Sequence, residues 1–266
     1  MLAAQRRDLI LEHLDRDGVV TVAGLAGVLG VSEMTVRRDL DALDALGRLT
    51  KVHGGATPSR AGSGREPGFA AKSTLAGPAK AAIAREAARL VEPGATVGLT
   101  AGTTTFHVAR QLLGHKGITV VTNSIRVAEV FHDTATSEIP VIVTGGSRTP
   151  SDALVGPMAV DALRHLNLDI CFMGVHGMDE HAGFTTPNVL EADTNRAFAE
   201  SARQFVVVAD SSKWGEIGLA RIASLSEATC VITDDAMPRA ARQALTSQVD
   251  RVIFAQTQED PHASNS

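Results

Sequence analysis

The chain has 266 residues, 44% of them hydrophobic and 21% charged, with a formal net charge of −5. That length and composition can bury a large core in one or two domains, and the acidic balance excludes indiscriminate polyanion binding by the whole molecule while leaving a local basic patch open. No run of about 18 apolar residues is available to cross a bilayer, the first residues MLAAQRRDLILEHLDRDG are too charged for a secretory leader, and Cys171 and Cys230 each lie in an apolar run that suits a buried thiol; the expectation is a cytoplasmic protein without a cofactor.

In chain order, Leu2, Gln5 or Arg6, Leu9, Ile10 and Leu14 fall at helical spacing and predict a first helix that stops at Gly18. Thr21 is placed to cap a short second helix with Val22, Leu25, Ala26 and Leu29 on one stripe and Gly30 as its stop. Ser32 is placed to cap a third helix running to about Leu46, with Gly47 behind it. Two helices joined by a tight Gly-containing turn predict a helix-turn-helix. At roughly 100° per residue, Val36, Leu40 and Leu43 share the buried face, Met34 and Arg38 lie nearly opposite, and Thr35 and Arg37 flank them. Hydroxyl and guanidinium groups on the N-terminal half of such a helix bind phosphates and read guanine edges in the major groove. Residues 1–56 carry 7 Lys and Arg against 8 Asp and Glu, so any basic surface here is a matter of position and not of sum. The following GRLTKVHGGA predicts a two-stranded wing with Leu49 and Val52 inward, Arg48 and Lys51 outward, and Gly54-Gly55 as a flexible tip.

The order of these pieces, with LGVS at the turn, TVRRDL on the third helix and HGGA in the wing, resembles the N-terminal winged helix of the DeoR family of bacterial transcriptional regulators. The resemblance implies contact with double-stranded operator DNA through Ser32, Thr35, Arg37 and Arg38, to which the face reading adds Met34, Arg48, Lys51 and His53. Regulators of this kind commonly read paired half-sites, so a homodimer or homotetramer is expected.

TPSRAGSGREPG, at 57–68, is nearly free of large apolar residues and reads as a linker. The expected division is a winged helix over 1–57, a linker over 58–75, an α/β domain over 76–257 and an unstructured tail over 258–266. Within the large domain, short apolar runs at Thr119–Thr122, Val141–Thr144, Ile170–Gly174, Phe205–Ala209, Cys230–Thr233 and Val252–Ala255 alternate with helical patterns, which predicts an open, mostly parallel sheet covered on both faces. These runs end in small, polar or Gly-containing loops, and ligands of open α/β sheets bind where such strand ends meet. AGTTT can cradle an anion: Gly102 admits close backbone approach, and Thr103, Thr104 and Thr105 open a helix whose free N–H groups suit a phosphate. The same residues would also serve as plain helix caps. Candidate effector residues from the other loops are Thr122, Asn123, Ser124, Gly145, Gly146, Gly174, His176 and Gly177, with Lys213 for charge and Glu191 to accept from sugar hydroxyls. His176 and His181 lack the spacing of a metal site. Asp179 and Glu180 read as loop-stabilising acids, and Trp214 either covers a ligand or packs at the surface.

AGTTT, VVTNS, TGG, MGVHGMD, Glu191 and DSSK, spread over about 76–235, resemble the effector domain of the same family, itself similar to ribose-5-phosphate isomerase. The resemblance implies a bound phosphorylated sugar or related metabolite. Where the family often has an acid before the Gly-Thr loop this chain has Thr100, and four residues after the glutamate it has Asn195 in place of a base. Two functions are thus in view: a metabolite-responsive regulator, in this family most often a repressor, and an aldose-phosphate isomerase with an accessory N-terminal module, in which Glu191 would move the proton.

Overall fold

The computed structural model describes residues 2–17, 19–46, 48–52, 54–58, 69, 73, 76–132 and 138–257, which fall into two compact units, Met1–Pro67 and Gly68–Ser266. Gly18, Gly47, His53, most of the expected linker and the whole expected tail lie outside the described residues.

In the first unit, α1 (Ala3–Asp17), α2 (Val22–Leu29) and α3 (Glu33–Ala45) pack with the strands β1 (Val20–Thr21), β2 (Leu49–Val52) and β3 (Gly55–Pro58). The caps form as their sequence predicts: Thr21 Oγ1 accepts from the Gly24 N–H, Gly30 closes α2 at φ 64°, and Ser32 Oγ accepts from the Thr35 N–H. Ile10, Leu14, Leu25, Val36, Leu40, Leu43 and Leu49 are buried in one core. Leu2, expected on the core stripe, precedes α1 and is 72% exposed.

The wing departs from the predicted hairpin in three ways. It has a third strand, in order β1-β3-β2, because Val20–Thr21 pairs antiparallel with Gly55–Ala56. Val52 is exposed and not inward, since residues three apart on a strand face opposite sides and Leu49 takes the core side. Gly55 is no flexible tip: a Cβ there would stand 2.0 Å from the Val20 carbonyl oxygen, so the residue is where β1 and β3 come closest. Gly54, at φ 82°, serves the turn.

The second unit is built on a seven-stranded, wholly parallel sheet in order β15-β14-β12-β9-β4-β5-β6. Its strands are β4 (Thr96–Leu99), β5 (Thr119–Thr122), β6 (Val141–Val143), β9 (Leu168–Met173), β12 (Ala202–Val208), β14 (Cys230–Asp234) and β15 (Val252–Ala255). The helices are α4 (Gly77–Ala88), α5 (Thr103–Leu112), α6 (Ile125–His132), α7 (Pro157–Arg164), α8 (Val189–Glu200) and α9 (Arg239–Gln248). Two apolar clusters, one containing Val97, Val108 and Phe172 and the other Cys171, Phe198 and Val207, cover the two faces. The sequence pattern did not announce two smaller sheets, β7 (Ser147–Arg148) with β8 (Leu154–Val155), and β10 (Gly177–Asp179) with β11 (Gly183–Thr186) and β13 (Ala220–Ala223).

Strand order fixes where a ligand can sit. From β4 the chain steps outward to β5 and β6, then returns to the other side of β4 as β9 and continues outward to β12, β14 and β15. The direction therefore reverses between β4 and β9, and the carboxyl ends of those two strands flank a crevice.

Candidate DNA interface and effector site

On α3 the exposed face carries Met34, Arg37 and Arg38, with Met34 60% exposed. Arg37 pairs with Glu33 one turn earlier at 3.4 Å. Lys51 of the wing reaches across to the Asp41 carboxylate, and its backbone N–H donates to Asp44. These pairs are solvated and worth about 0–1 kcal/mol each, so a phosphate can displace them. They cancel the acids on this face and leave Arg38 and Arg48 exposed with no ion pair among the described residues. Thr35 is half-buried, and its hydroxyl is 2.9 Å from that of Ser32.

Beneath this face lies Asp39, which sequence reading overlooked. It is 2% exposed and accepts from Arg6 Nε at 2.5 Å and Arg7 Nε at 3.1 Å. Arg6 and Arg7 of α1 thereby fix α3 to the helix behind it.

At the β4–β9 crevice a polar cavity of about 60 Å³ is lined by Lys80, Gly102, Thr103, Thr104, Gly174, His176, Thr186, Glu191, Asp210, Ser212 and Lys213 among others. Seven of the residues singled out from sequence meet here: Gly102, Thr103, Thr104, Gly174, His176, Glu191 and Lys213. No side chain caps α5 at Gly102, so its first N–H groups remain available at the cavity. The backbones of Gly102 and Gly174 lie side by side at the two strand ends, where a Cβ on Gly102 would make an ordinary contact of 3.8 Å with the Gly174 Cα. Thr100, buried, accepts from the Gly174 N–H at 3.2 Å and ties the loops together.

The other candidates lie outside this lining and bond to protein. Thr105 Oγ1 donates to the Gly102 carbonyl, and Thr122 Oγ1 to that of Leu99. Asn123 accepts from the Ala101 N–H and donates to the Leu154 carbonyl. Ser124 Oγ accepts from the Val127 N–H in the first turn of α6. Gly145 turns at φ 73°, Gly146 packs on the Val155 backbone, and Gly177 packs on the Glu216 carbonyl. The reason is topological for most of them: β5 and β6 lie beyond β4, away from the reversal.

Lys80 and Thr186 were not singled out from sequence, and of the DSSK loop only Lys213 was, although Asp210 and Ser212 also line the cavity. Lys80 is 3% exposed on the Ala-rich α4, and a single lysine in AKAAIAREAA was the available signal. Asp210 is held by the N–H and hydroxyl of Ser212. Asp179 accepts from the N–H groups of His181 and Ala182, a loop-stabilising acid as expected. Trp214 packs partly buried against the second core cluster. Asn195 follows Glu191 by one turn, is 1% exposed, and has neither side-chain polar atom hydrogen-bonded among the described residues.

Several groups share one electrostatic direction. His107 is held below its ordinary 6.5 by burial and by the charges of Lys80 and Arg110. Asp152 is lowered by its bonds to Arg148 and Arg126, Asp169 by the Thr96 N–H and Arg203, Asp179 by the two loop N–H groups, and Glu227 by Ser224. A lowered folded-state pKa means that the folded state binds fewer protons, so stability is complete above the unfolded value and is lost as pH falls. Calorimetry on the full chain is therefore expected to show the sensor-unit transition steady above pH 7, lower as pH passes below 6.5, and falling fastest below about 4. A maximum near pH 5 would contradict this. The buried thiols move the other way and are poor nucleophiles: desolvation raises that of Cys171 far above its ordinary value and that of Cys230 to about 11.

The family profile described as the DeoR-like helix-turn-helix domain matches residues 6–60, and that described as the DeoR C terminal sensor domain matches 76–235. The chain belongs to the DeoR family. This DeoR-type transcriptional regulator is 36% identical over 260 residues to the HTH-type transcriptional regulator YgbI of Escherichia coli, covering 97% of this chain and 100% of that one. It is 36% identical to the HTH-type transcriptional regulator GlpR of Haloferax volcanii, covering 93% and 96%, and 31% identical to the HTH-type transcriptional repressor CsqR of Escherichia coli, covering 94% and 95%. Among solved structures, ribose-5-phosphate isomerase A of Methanocaldococcus jannaschii matches 51% of this chain and 53% of its own, at 21% identity and a TM-score of 0.38. Among the described residues of the DeoR-type chain, no helix is long and apolar enough to cross a membrane.

Proposed function

We propose that this DeoR-type regulator represses a sugar or polyol operon in the cytoplasm, binding operator DNA as a symmetric homo-oligomer and answering to a phosphorylated sugar or related metabolite. The observation that carries the reading is the pair of sites in one chain: Arg38 on the exposed face of α3 and Arg48 just before β2, both solvated and without an ion pair among the described residues, and a crevice in which Lys80, Lys213 and the uncapped end of α5 meet Glu191. In this reading Ser32, Thr35, Arg37 and Lys51 bind phosphates, Arg38 and Met34 face base edges, and Arg48 adds a further phosphate contact. The anion lies between the lysines and the α5 N–H groups, and Glu191 accepts from hydroxyls. Asn195 offers a neutral amide where the family has a base, so the charge of the anion falls to Lys80 and Lys213. The reading assigns no catalysis to Glu191, in accord with a family of regulators. The cavity, about 60 Å³ against roughly 300–1,000 Å³ for ordinary ligand sites, would have to part at its loops to admit a phosphosugar, and that movement is where ligand binding would do work on the rest of the protein.

Fluorescence anisotropy of the full chain against duplexes tiled across the region upstream of its own gene tests the DNA half. One duplex is expected to bind at least about 10³-fold more tightly than the rest at fixed salt; equal binding to all would overturn it. For the ligand half, Lys213→Ala is expected to leave operator affinity unchanged and to weaken the response to metabolite at least about 10-fold, the loss of one charge-assisted contact. An unchanged response would place the anion elsewhere.

A further inference from the structure

Asn195 is 1% exposed, and neither its amide nitrogen nor its amide oxygen has a hydrogen-bond partner among the described residues. Such a side chain carries two N–H donors and an oxygen with two lone pairs, and burying it unpaired is costly enough that native proteins almost always satisfy it. Its neighbours in the chain are satisfied. Thr194, also buried, donates to the Leu190 carbonyl at 2.8 Å and accepts from the Gly156 N–H at 3.3 Å. Arg196 is exposed, pairs with Asp193 at 2.9 Å and donates to the Arg221 carbonyl. That base is therefore committed to the surface and does not stand in for the one the family carries at the position of Asn195.

The direction of the amide follows from the helix. Four residues bring Asn195 to within about 40° of Glu191 around α8, and the Cα–Cβ bonds of a helix tilt toward its N-terminus. The Asn195 side chain thus leans back toward Glu191, which lines the polar crevice with Lys80, Thr186 and Lys213. The amide stands one turn behind that carboxylate, on the same buried side of the helix.

We propose that Asn195 is the inner end of the ligand site, a subsite reached when the crevice loops part, and that it takes an uncharged hydroxyl or carbonyl group of the ligand. The inference rests on the reading of the crevice as a phosphate-binding site and adds the chemistry of the ligand's other end. Lys80, Lys213 and the α5 N–H groups supply the positive charge for a phosphate. Toward α8 the site offers a carboxylate that accepts and, behind it, an amide that both donates and accepts. Hydroxyl and carbonyl groups suit that pair. A carboxylate on the ligand would meet the like charge of Glu191 with only a neutral amide to offset it. The ligand so selected is a phosphorylated sugar or polyol whose far end is uncharged, and phosphorylated sugar acids are rejected.

Operator affinity of the full chain, measured at fixed salt with matched sets of an aldose phosphate, a polyol phosphate and an aldonate phosphate of the same length, from three carbons to six, tests this in the wild type and in Asn195→Leu. In the wild type at least one aldose or polyol phosphate is expected to act at a concentration at least about 10-fold below that of its aldonate counterpart. Asn195→Leu replaces an unpartnered amide by an apolar group of similar shape, so it is expected to melt no lower than the wild type. It is expected to need at least about 10-fold more of the same compound, the loss of one hydrogen-bonded contact. Should it melt lower, Asn195→Ala takes its place with the same expectation. A variant that responds at the wild-type concentration would show that the amide serves only the fold or a buried water, and would overturn the subsite. A wild type that prefers the aldonate phosphates would overturn it as well. A wild type whose operator affinity none of these compounds alters would instead overturn the reading of the crevice on which the subsite rests.

Discussion

Arg38→Ala is expected to weaken operator binding by at least about 30-fold while leaving the melting temperature and the affinity for metabolite unchanged. Arg38 projects from the N-terminal half of α3 opposite Val36, Leu40 and Leu43, and it touches no acid among the described residues, so its loss removes nothing from the fold. A guanidinium at a guanine edge contributes about 1–3 kcal/mol of discrimination, and a symmetric pair loses two of them. Arg37→Ala is the informative comparison: Arg37 stands on the flank and already pairs with Glu33, so its loss should cost less and should reduce the salt dependence more than the sequence preference. Operator binding by Arg38→Ala at wild-type strength would place the reading face elsewhere on α3.

Asp39→Ala acts by a different route and should unfold the DNA-binding unit. The carboxylate is buried and holds Arg6, itself only 12% exposed in its side chain, together with the more solvated Arg7. Removing it leaves a largely buried guanidinium without a counter-charge, at a cost of about 2–4 kcal/mol for a pair that is partly solvated. A unit of fewer than 70 residues has little more stability than that to lose. The expected outcome is loss of the helical signal of residues 2–46 in hydrogen exchange and loss of all DNA binding, with the sensor-unit transition unmoved. A variant with a native first unit would show that Arg6 finds water or another acid.

What sequence reading captured, and what it missed, follows from the range of each interaction. Helix caps at Thr21 and Ser32, the stop at Gly30 and the core stripe of α3 are set within a few residues and were legible. The strand runs were legible for the same reason, since β5 and β15 coincide with their apolar segments. Long-range partners were not. Asp39 stands only about 60° from the core stripe by helical angle, yet nothing local says that two arginines more than 30 residues earlier will meet it. Val20–Thr21 becomes a strand only because Gly55 lies against it. Which polar loops meet was not legible, because a sequence shows that strands end in polar loops but not the order of the strands; the reversal between β4 and β9 brings Gly102–Thr104 and Gly174–His176 to one cavity and sets Thr122–Ser124 and Gly145–Gly146 apart from it. Lys80 was hidden because a lysine in an alanine-rich helix looks solvated until a cavity is found at its tip.

The central claim is that one chain couples operator DNA to a phosphorylated metabolite, and the affinity for operator measured at fixed salt across a panel of aldose, ketose and polyol phosphates tests it most directly. At least one compound is expected to change that affinity 5- to 150-fold, the range of about 1–3 kcal/mol of coupling. The change should vanish in a Lys80→Met/Lys213→Ala variant that still binds operator. Tight, specific operator binding that no phosphorylated compound alters, or a response that survives the loss of both lysines, would contradict the account.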